Sequence, residues 1–247
     1  MQASGDLRLA VVGNGGVGKS VIAGTLARLL ARQGRRVLAV DLDPNPGLAF
    51  SLGLPVTDSG LPPEAVEERD DRMYGWGLAR HLDPSTAAEQ FALTAPDGVR
   101  YLSPGGIDRP DHLVSHSAAA VREILAAMPS GWDVIADVEA GTTTPAEGTL
   151  AFAQTLVAVV TSARKSALAA RRITWLLPAL PVLVVAGQDQ GGPRGEGFEP
   201  HVRVPRDPAV ADAEEAGLAP LDTCPDSPVI GAVGEIAQLL LSGRALA

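Results

Sequence analysis

The chain has 247 residues, of which 46% are hydrophobic and 20% are charged, so it can bury the core of a single α/β domain. Its net charge of −9 argues against a large nonspecific DNA-binding face, because such faces are basic. The single cysteine, Cys224, excludes an intramolecular disulfide and a cysteine-based zinc site within one chain. No leader pattern and no membrane-length apolar run are present, so we expect a cytoplasmic protein.

The first motif follows an apolar run at residues 7–12, which predicts a buried strand. Residues 13–20 match the phosphate-binding pattern G-x-x-x-x-G-K-[ST] at every fixed position, and residues 21–33 have the pattern of a helix. In this context the backbone N–H groups of the loop and the helix N-terminus bind phosphate. We expect Lys19 to reach the β- and γ-phosphates of a nucleotide and Ser20 to hold Mg²⁺. The predicted phosphate loop consists of Gly13, Asn14, Gly15, Gly16, Val17, Gly18, Lys19 and Ser20.

After the first helix, apolar runs alternate with helical patterns, which is typical of a parallel sheet covered by helices on both faces. Strands are predicted at residues 36–42, 99–102, 132–136, 156–160, 182–185 and 201–204. Helices are predicted at residues 112–128, 165–177, 208–216 and 230–241. Residues 55–96 are rich in proline and acidic residues and predict a variable insertion or lid. We therefore expect residues 1–247 to form one doubly wound α/β domain of the P-loop NTPase type, with a mostly parallel sheet.

Acidic residues follow two of the predicted strands. Asp137 comes directly after the strand at residues 132–136, where P-loop enzymes place the acid that holds Mg²⁺. Asp41 and Asp43 lie at the carboxyl end of the second strand, where open α/β sheets bind ligands. Asp43 lies further into the loop and is the better candidate to activate water. The alternative is that these acids are cap or turn residues, which we consider weaker beside a phosphate loop.

Four motifs occur in an order that resembles the MinD/ParA class of deviant-Walker ATPases, and within it the CooC-type accessory ATPases of carbon monoxide dehydrogenase maturation. They occupy residues 13–20, 40–48, 137–141 and 205–222. The resemblance implies that ATP with Mg²⁺ drives formation of a homodimer and that hydrolysis reopens it. It also implies a client or partner protein that this cycle switches.

The same resemblance assigns roles to individual residues. Asp43 corresponds to the water-activating aspartate, Asp137 to the acid on the Mg²⁺ side, and Gly141 to the switch glycine that senses the γ-phosphate. The segment with Arg203 and Pro205 resembles one wall of the base pocket. The other wall is at residues 186–188, where relatives often carry an asparagine that reads the purine.

One departure from this class lies in the phosphate loop itself. Asn14 occupies the position of a signature lysine that crosses the dimer interface to the partner's phosphates. A neutral amide is a weaker donor than a cation, so either turnover is slow or another cation substitutes. The cations that could replace the lysine lie on the predicted helix at residues 165–177 and just before it, in a segment that resembles one often found near the dimer interface. The preferred interpretation is that they form a solvated helix face. These candidates are Arg164, Lys165, Arg171 and Arg172.

A second departure concerns metals and membranes. Nickel-binding members resemble one another in a Cys-x-Cys pair, and no cysteine occurs at residues 102–116, so the residues do not support that site. His112 and His116 lie four apart on a predicted helix, but a surface pair is the preferred interpretation because two ligands are too few. The closing helix at residues 230–241 lacks the basic face of a membrane-targeting helix.

Two other functions stay open beside a nucleotide-switched accessory ATPase. The first is a regulatory or scaffold protein that binds nucleotide and hydrolyses it very little, which the neutral Asn14 favours. The second is a partitioning or positioning ATPase, although the acidic composition gives no strong sign of nucleic-acid binding.

Overall fold

The computed structural model describes residues 5–43, 47–55, 60–71, 75–105, 111–139, 150–189 and 199–243. The helices in these ranges are α1 (Lys19–Arg32), α2 (Leu48–Leu52), α3 (Pro84–Phe91), α4 (Asp111–Ala127), α5 (Arg164–Leu176), α6 (Pro208–Glu215), α7 (Pro220–Thr223) and α8 (Pro228–Ser242). The strands are β1 (Arg8–Gly13), β2 (Val37–Asp41), β3 (Val66–Glu68), β4 (Trp76–Leu78), β5 (Leu93–Thr94), β6 (Arg100–Leu102), β7 (Asp133–Glu139), β8 (Thr155–Val160), β9 (Val182–Asp189) and β10 (Val202–Pro205).

The central sheet has eight strands in the order β10-β9-β8-β1-β7-β2-β6-β5. Neighbouring strands run parallel except at one edge, where β5 pairs with β6 in antiparallel fashion. The phosphate-loop strand β1 lies in the interior of the sheet between β7 and β8. This arrangement confirms the predicted doubly wound, mostly parallel α/β fold.

Helices bury both faces of the sheet in separate cores. Successive residues of β1 point to opposite faces, so that Leu9 and Val11 pack in one core while Ala10 and Val12 pack in the other. Helices α1 and α8 cover the first face, and α4 covers much of the second. Because both faces are covered, strands such as β8 are buried at every position and carry continuous apolar runs.

The segment predicted as a variable insertion contains regular structure in its described parts. Strands β3 and β4 form a two-stranded antiparallel hairpin, and α3 and β5 follow it. The hairpin packs on α4, where the Trp76 ring stacks on His116 at a centroid distance of 3.7 Å. Arg69 of the connecting turn also approaches Glu123 at 3.4 Å. The described hairpin is therefore attached to the side of the sheet that α4 covers.

A buried ionic network fixes the C-terminal half of α1. The Arg28 side chain is 2% exposed, and its guanidinium donates to Asp97 at 2.7 Å and to both carboxylate oxygens of Asp222 at 2.6 and 2.8 Å. Asp97 lies in the turn before β6, and Asp222 lies in α7. The network therefore connects three segments that are far apart in the sequence.

Several element boundaries differ from the predicted ones in ways that bear on function. Strand β7 continues to Glu139, so Asp137 lies within the strand and not after it. The short helix α2 was not predicted, because its five residues are too few to show a helical period. Within the described residues, no helix combines the length and apolar character needed to cross a bilayer.

Candidate functional site

The backbone of the phosphate loop is shaped by glycines in the left-handed region. Gly16 has φ = 73° and Gly18 has φ = 92°, values that side-chain-bearing residues rarely adopt. The turn at Gly18 leads directly into α1, which begins at Lys19. The N–H groups of the first turn of α1 therefore face the loop, which is the arrangement that binds phosphate.

Lys19 and Asp43 form an ion pair at the loop. Lys19 Nζ lies 3.3 Å from Asp43 Oδ2, and the two side chains are only 4% and 9% exposed. The same ammonium donates to the carbonyl oxygen of Asn14 at 3.4 Å. The structure thus brings together the two residues predicted to act in catalysis, and it places them in direct contact.

Ser20 and Asp137 form the second polar pair of the site. Ser20 Oγ donates to Asp137 Oδ2 at 2.5 Å, because β7 runs beside β1 with Val11 opposite Asp137. Asp137 is fully buried, and its Oδ1 has no hydrogen-bond partner within the described part of the chain. A buried carboxylate oxygen without a donor is unfavourable unless a cation or water meets it. A hydroxyl beside such an oxygen fits Mg²⁺, which prefers oxygen ligands.

The buried acids affect one another's protonation. Burial, and to a smaller extent the charge of Asp43, raise the pKa of Asp137 to about 6, against the opposing hydrogen bond from Ser20 and charge of Lys19. Burial also raises the pKa of Asp41 well above its ordinary value, and the charge of Asp137 adds to this. The two acids lie opposite each other in the register of β2 and β7. The sheet therefore concentrates negative charge at the position where a divalent cation would relieve it.

Asp41 holds the loop that carries Asp43. Its Oδ1 accepts the backbone N–H of Asp43 at 3.2 Å, and its Oδ2 accepts that of Leu48, the first residue of α2, at 3.1 Å. These hydrogen bonds tie both ends of the loop to the end of β2. The sequence analysis preferred Asp43 over Asp41 as the residue that activates water. In the structure, the Asp41 carboxylate is engaged with the backbone of the loop.

A pocket opens beside the phosphate loop, between the start of α1, the ends of β9 and β10, and α6. Its lining includes Gly18, Gln188, Pro205, Arg206 and Asp207. The Gln188 side-chain amide donates to the carbonyl oxygen of Gly16 at 2.8 Å, which joins this wall to the loop. Pro205, predicted to form one wall of a base pocket, is among the residues that line this pocket, and its contact with a base stays a prediction.

The side chain of Arg203 lies outside this pocket, and its predicted part in base binding stays a prediction. Arg203 is not among the lining residues of the pocket, and its guanidinium pairs with Asp189 at 3.0 Å. Val202 and Val204 of β10 are buried, whereas Arg203 between them is exposed. The register of β10 against β9 shifts between Arg203 and Pro205, so these two residues do not follow one regular alternation. Arg206, which the sequence analysis did not single out, is the arginine at the pocket.

Gly141 and the side chain of His112 lie outside the described residues, so the predicted switch glycine stays a prediction. His116 stacks on Trp76, which is a packing contact. No group of three or more histidine, cysteine, aspartate or glutamate side chains suited to a metal ion is found in the described ranges.

The four cations considered as substitutes for the missing lysine are on α5. All four are exposed, and within the described residues none forms an ion pair or a hydrogen bond through its charged group with the phosphate loop. In a single copy of the chain they therefore do not complete the site. These residues are Arg164, Lys165, Arg171 and Arg172.

Comparison with known proteins places this geometry in context. Residues 9–185 match the family model described as the CobQ/CobB/MinD/ParA nucleotide binding domain. The chain is 30% identical over 244 residues to the carbon monoxide dehydrogenase accessory protein CooC of Rhodospirillum rubrum, with 89% of this chain and 91% of that protein covered.

Solved structures show the same fold. The septum site-determining protein MinD of Pyrococcus horikoshii, complexed with Mg-ADP, has a TM-score of 0.67 and 18% identity, covering 94% of this chain and 95% of that chain. A ParA family ATPase of Chlorobium tepidum has a TM-score of 0.68 and 18% identity, covering 94% and 98%.

Proposed function

The chain belongs to the CobQ/CobB/MinD/ParA family of nucleotide-binding proteins and is a P-loop ATPase of the MinD/ParA type. From this premise we propose that it is an ATP-hydrolysing switch that serves as an accessory or maturation factor for a client protein. The observation that carries the proposal is the group of Lys19, Asp43, Ser20 and Asp137 at the phosphate loop, of which Lys19 and Asp137 are buried. This group combines a phosphate-binding cation, a water-activating acid and a pair of oxygen ligands for Mg²⁺.

Nucleotide binding begins at the loop. The backbone N–H groups at the start of α1 take the phosphates, and Ser20 Oγ together with the unpartnered Oδ1 of Asp137 provide oxygens for Mg²⁺. When bound, Mg²⁺ neutralises phosphate charge and polarises the bond to be broken. A cation at this position would favour the ionised form of the buried Asp137, because opposite charge offsets the cost of burying the carboxylate.

Hydrolysis requires Asp43 to leave Lys19. An incoming γ-phosphate competes with the Asp43 carboxylate for the Lys19 ammonium, since both bind the same donor group. The released carboxylate can then accept a proton from, or orient, the attacking water. The backbone hydrogen bonds from Asp43 and Leu48 to Asp41 keep the loop close to the phosphates during this exchange.

The pocket beside the loop suits adenine. Because the Gln188 amide nitrogen donates to the Gly16 carbonyl, the other end of the side chain is an acceptor. An acceptor pairs with the exocyclic amino group of adenine and repels the corresponding oxygen of guanine. Pro205 and Arg206 provide flat contacts for the base from β10 and the residue after it.

The proposed switch operates by ATP-dependent dimerisation. Support comes from the likeness to CooC and to MinD/ParA structures. With Asn14 in place of a lysine, a neutral donor contributes roughly half the strength of a charged hydrogen bond. We therefore expect slow turnover. The same observation supports a second candidate, a nucleotide-dependent regulatory protein with very little hydrolysis.

Steady-state ATPase assays with Mg²⁺ separate the two candidates. For an ATPase switch, we expect Asp43→Ala to lower kcat by roughly 10²-fold or more, because a positioned general base contributes about that much. Asp70→Ala, which changes an exposed acid of the hairpin turn, is the matched control and should retain the wild-type rate. Equal near-background rates for wild type and Asp43→Ala would favour the low-hydrolysis alternative.

Nucleotide binding is checked independently. Lys19→Ala removes the cation of the loop and should abolish binding of a fluorescent ATP analogue in a titration. Retention of wild-type affinity by this variant would place the nucleotide elsewhere.

A further inference from the structure

Helix α5 presents one side to the protein and leaves the other in solvent. Ser166, Ala170 and Ile173 are its buried residues. The opposite side, which we call the α5 face, consists of Arg164, Lys165, Leu168, Arg171, Arg172 and Trp175, all of them exposed. This face does not contribute to the phosphate loop or to the base pocket.

Two large apolar side chains stand on the α5 face. Trp175 is 78% exposed and Leu168 is 55% exposed, which makes them the most exposed large hydrophobic residues in the described part of the chain. They are seven residues apart, so they lie on the same side of the helix about 10 Å from each other. Tryptophan is the residue type most often found at the energetic centre of a protein interface.

The α5 face is also strongly basic. Residues Arg164–Leu176 contain four cations and no acid, whereas the whole chain has a net charge of −9. None of these four cations forms an ion pair with a described residue. A concentration of arginine and lysine around tryptophan is electrostatically complementary to a surface rich in carboxylates.

We propose that the α5 face is a docking surface for a protein partner whose own surface carries carboxylates around an apolar recess that receives Trp175. Two apolar residues are too few to hold a helix in a lipid interface. A chain of net charge −9 is repelled as a whole by polyanions such as DNA, whereas it can meet a local acidic patch on a protein. The inference rests on the proposed accessory function, since it describes how the client is held.

The position of α5 connects such a partner to the nucleotide site. Helix α5 follows β8, and the Thr161 N–H donates to Ser166 Oγ at 3.0 Å, which fixes the start of the helix to the end of that strand. Strand β8 pairs with β1, the strand that leads into the phosphate loop. A partner on the α5 face therefore contacts a helix that is tied to β8, the strand beside β1.

Photo-crosslinking identifies the occupant in cells of the source organism. A benzophenone amino acid replaces Leu168, and the matched control replaces Leu218, which is 50% exposed in the loop after α6. The protein cross-linked at position 168 and not at 218 is then purified and titrated by calorimetry. We expect Arg171→Glu/Arg172→Glu and Trp175→Ala each to weaken its binding by roughly tenfold or more, and raised salt to weaken it for the wild type.

Controls separate this proposal from the proposed function. Arg80→Glu, a charge reversal at a 63% exposed side chain of the hairpin, should leave partner affinity within about twofold of wild type. The α5 variants should keep wild-type binding of a fluorescent ATP analogue, whereas Lys19→Ala should lose it. Loss of nucleotide binding in wild type would refute the ATPase function without involving α5.

Several outcomes would overturn the docking proposal. They are the absence of a protein specific to position 168, capture of a second copy of this chain there, and unchanged affinity of the purified partner for the α5 variants. The proposal would also be overturned if the wild-type protein bound phosphatidylglycerol vesicles or duplex DNA in a sedimentation assay and the α5 variants lost this binding. The α5 face would then bind lipid or nucleic acid.

Discussion

The Asp137 carboxyl is held in the core of the sheet beside the other acids of the site. It is fully buried, its pKa is raised to about 6, and one of its oxygens has no donor among the described residues. In the nucleotide-free protein this ionised group costs stability at neutral pH, because the unfolded chain would solvate it. The residue therefore serves ligand binding at the expense of the fold.

Asp137→Asn tests this conflict at the level of one residue. The neutral amide should stabilise the nucleotide-free protein at pH 7.5 by roughly 1–3 kcal/mol and should lower Mg²⁺-dependent ATPase activity. The native pKa is raised above the unfolded one, so the wild type gains stability as pH falls. The difference between the two proteins should thus shrink as pH falls below about 6 and vanish below the ordinary value of 3.8.

Thermal unfolding of both proteins from pH 4 to 8, with and without Mg-ATP analogue, measures the effect. A stability difference independent of pH would contradict the assigned cost of the buried charge.

The sequence predicts these residues because the loop motif fixes its side chains at known offsets from a strand and a helix. Lys19 and Ser20 were named from that motif, whereas Asp43 and Asp137 were named from the carboxyl ends of two other strands and from the family resemblance. The structure brings the four residues together. Arg203 was named from likeness alone, and its guanidinium pairs with Asp189 instead of lining the pocket. The unpartnered oxygen of Asp137 depends on strand pairing, which no local pattern contains.

Among the elements, α1 has two functional ends. Its first turn carries Lys19 and Ser20, while its last turns are held by the Arg28 network with Asp97 and Asp222. A nearly buried guanidinium with two carboxylates is stabilising only while all partners remain, because a removed partner leaves charges in poor solvent. The network therefore fixes the axis of the helix that carries the phosphate-binding turn.

Arg28→Met should destabilise the protein by roughly 1–3 kcal/mol, since Asp97 and Asp222 lose their donor but are partly exposed and can be solvated. Arg32→Met is the matched control, because Arg32 meets the same acids and is 44% exposed, so its loss should cost less than about 1 kcal/mol. Urea unfolding compares the variants. Equal costs for both would mean that burial of Arg28 adds nothing.

Long periodic elements were predictable, and short or distant ones were not. The helix that became α4 and the strand that became β8 were placed within one residue at each end, because their apolar patterns are long. The hairpin of β3 and β4 has three residues in each strand, too few to show alternation. The hydrogen bond between Arg28 and Asp222 joins residues 194 positions apart, and no local sequence pattern at either residue predicts it.

For the whole molecule, the motif order predicted the family correctly, and the match over residues 9–185 together with the identity to CooC confirms it. Fold and family were accessible because the class is defined by a few motifs at the ends of neighbouring strands. The client is not encoded in those motifs, since the nucleotide site and the α5 face are formed by different residues.

ATP-dependent dimerisation is tested on the intact chain. Light scattering after size exclusion should give a monomer mass of 25.4 kDa without nucleotide and twice that mass with a nonhydrolysable ATP analogue and Mg²⁺. Asp43→Ala should dimerise with ATP itself, because hydrolysis no longer reopens the pair. A monomer under all conditions would argue against the dimer.

The sheet order has a consequence for how nucleotide leaves the protein. The phosphate loop follows β1, an interior strand, whereas the proposed base pocket is lined in part by β10, which is an edge strand of the described sheet and pairs with β9. Interior strands exchange their amide hydrogens most slowly, and edge strands open at lower free energy. If adenine binds in this pocket as proposed, local opening of the edge would free the base while the loop still holds the phosphates, and phosphate release would limit the lifetime of the bound state.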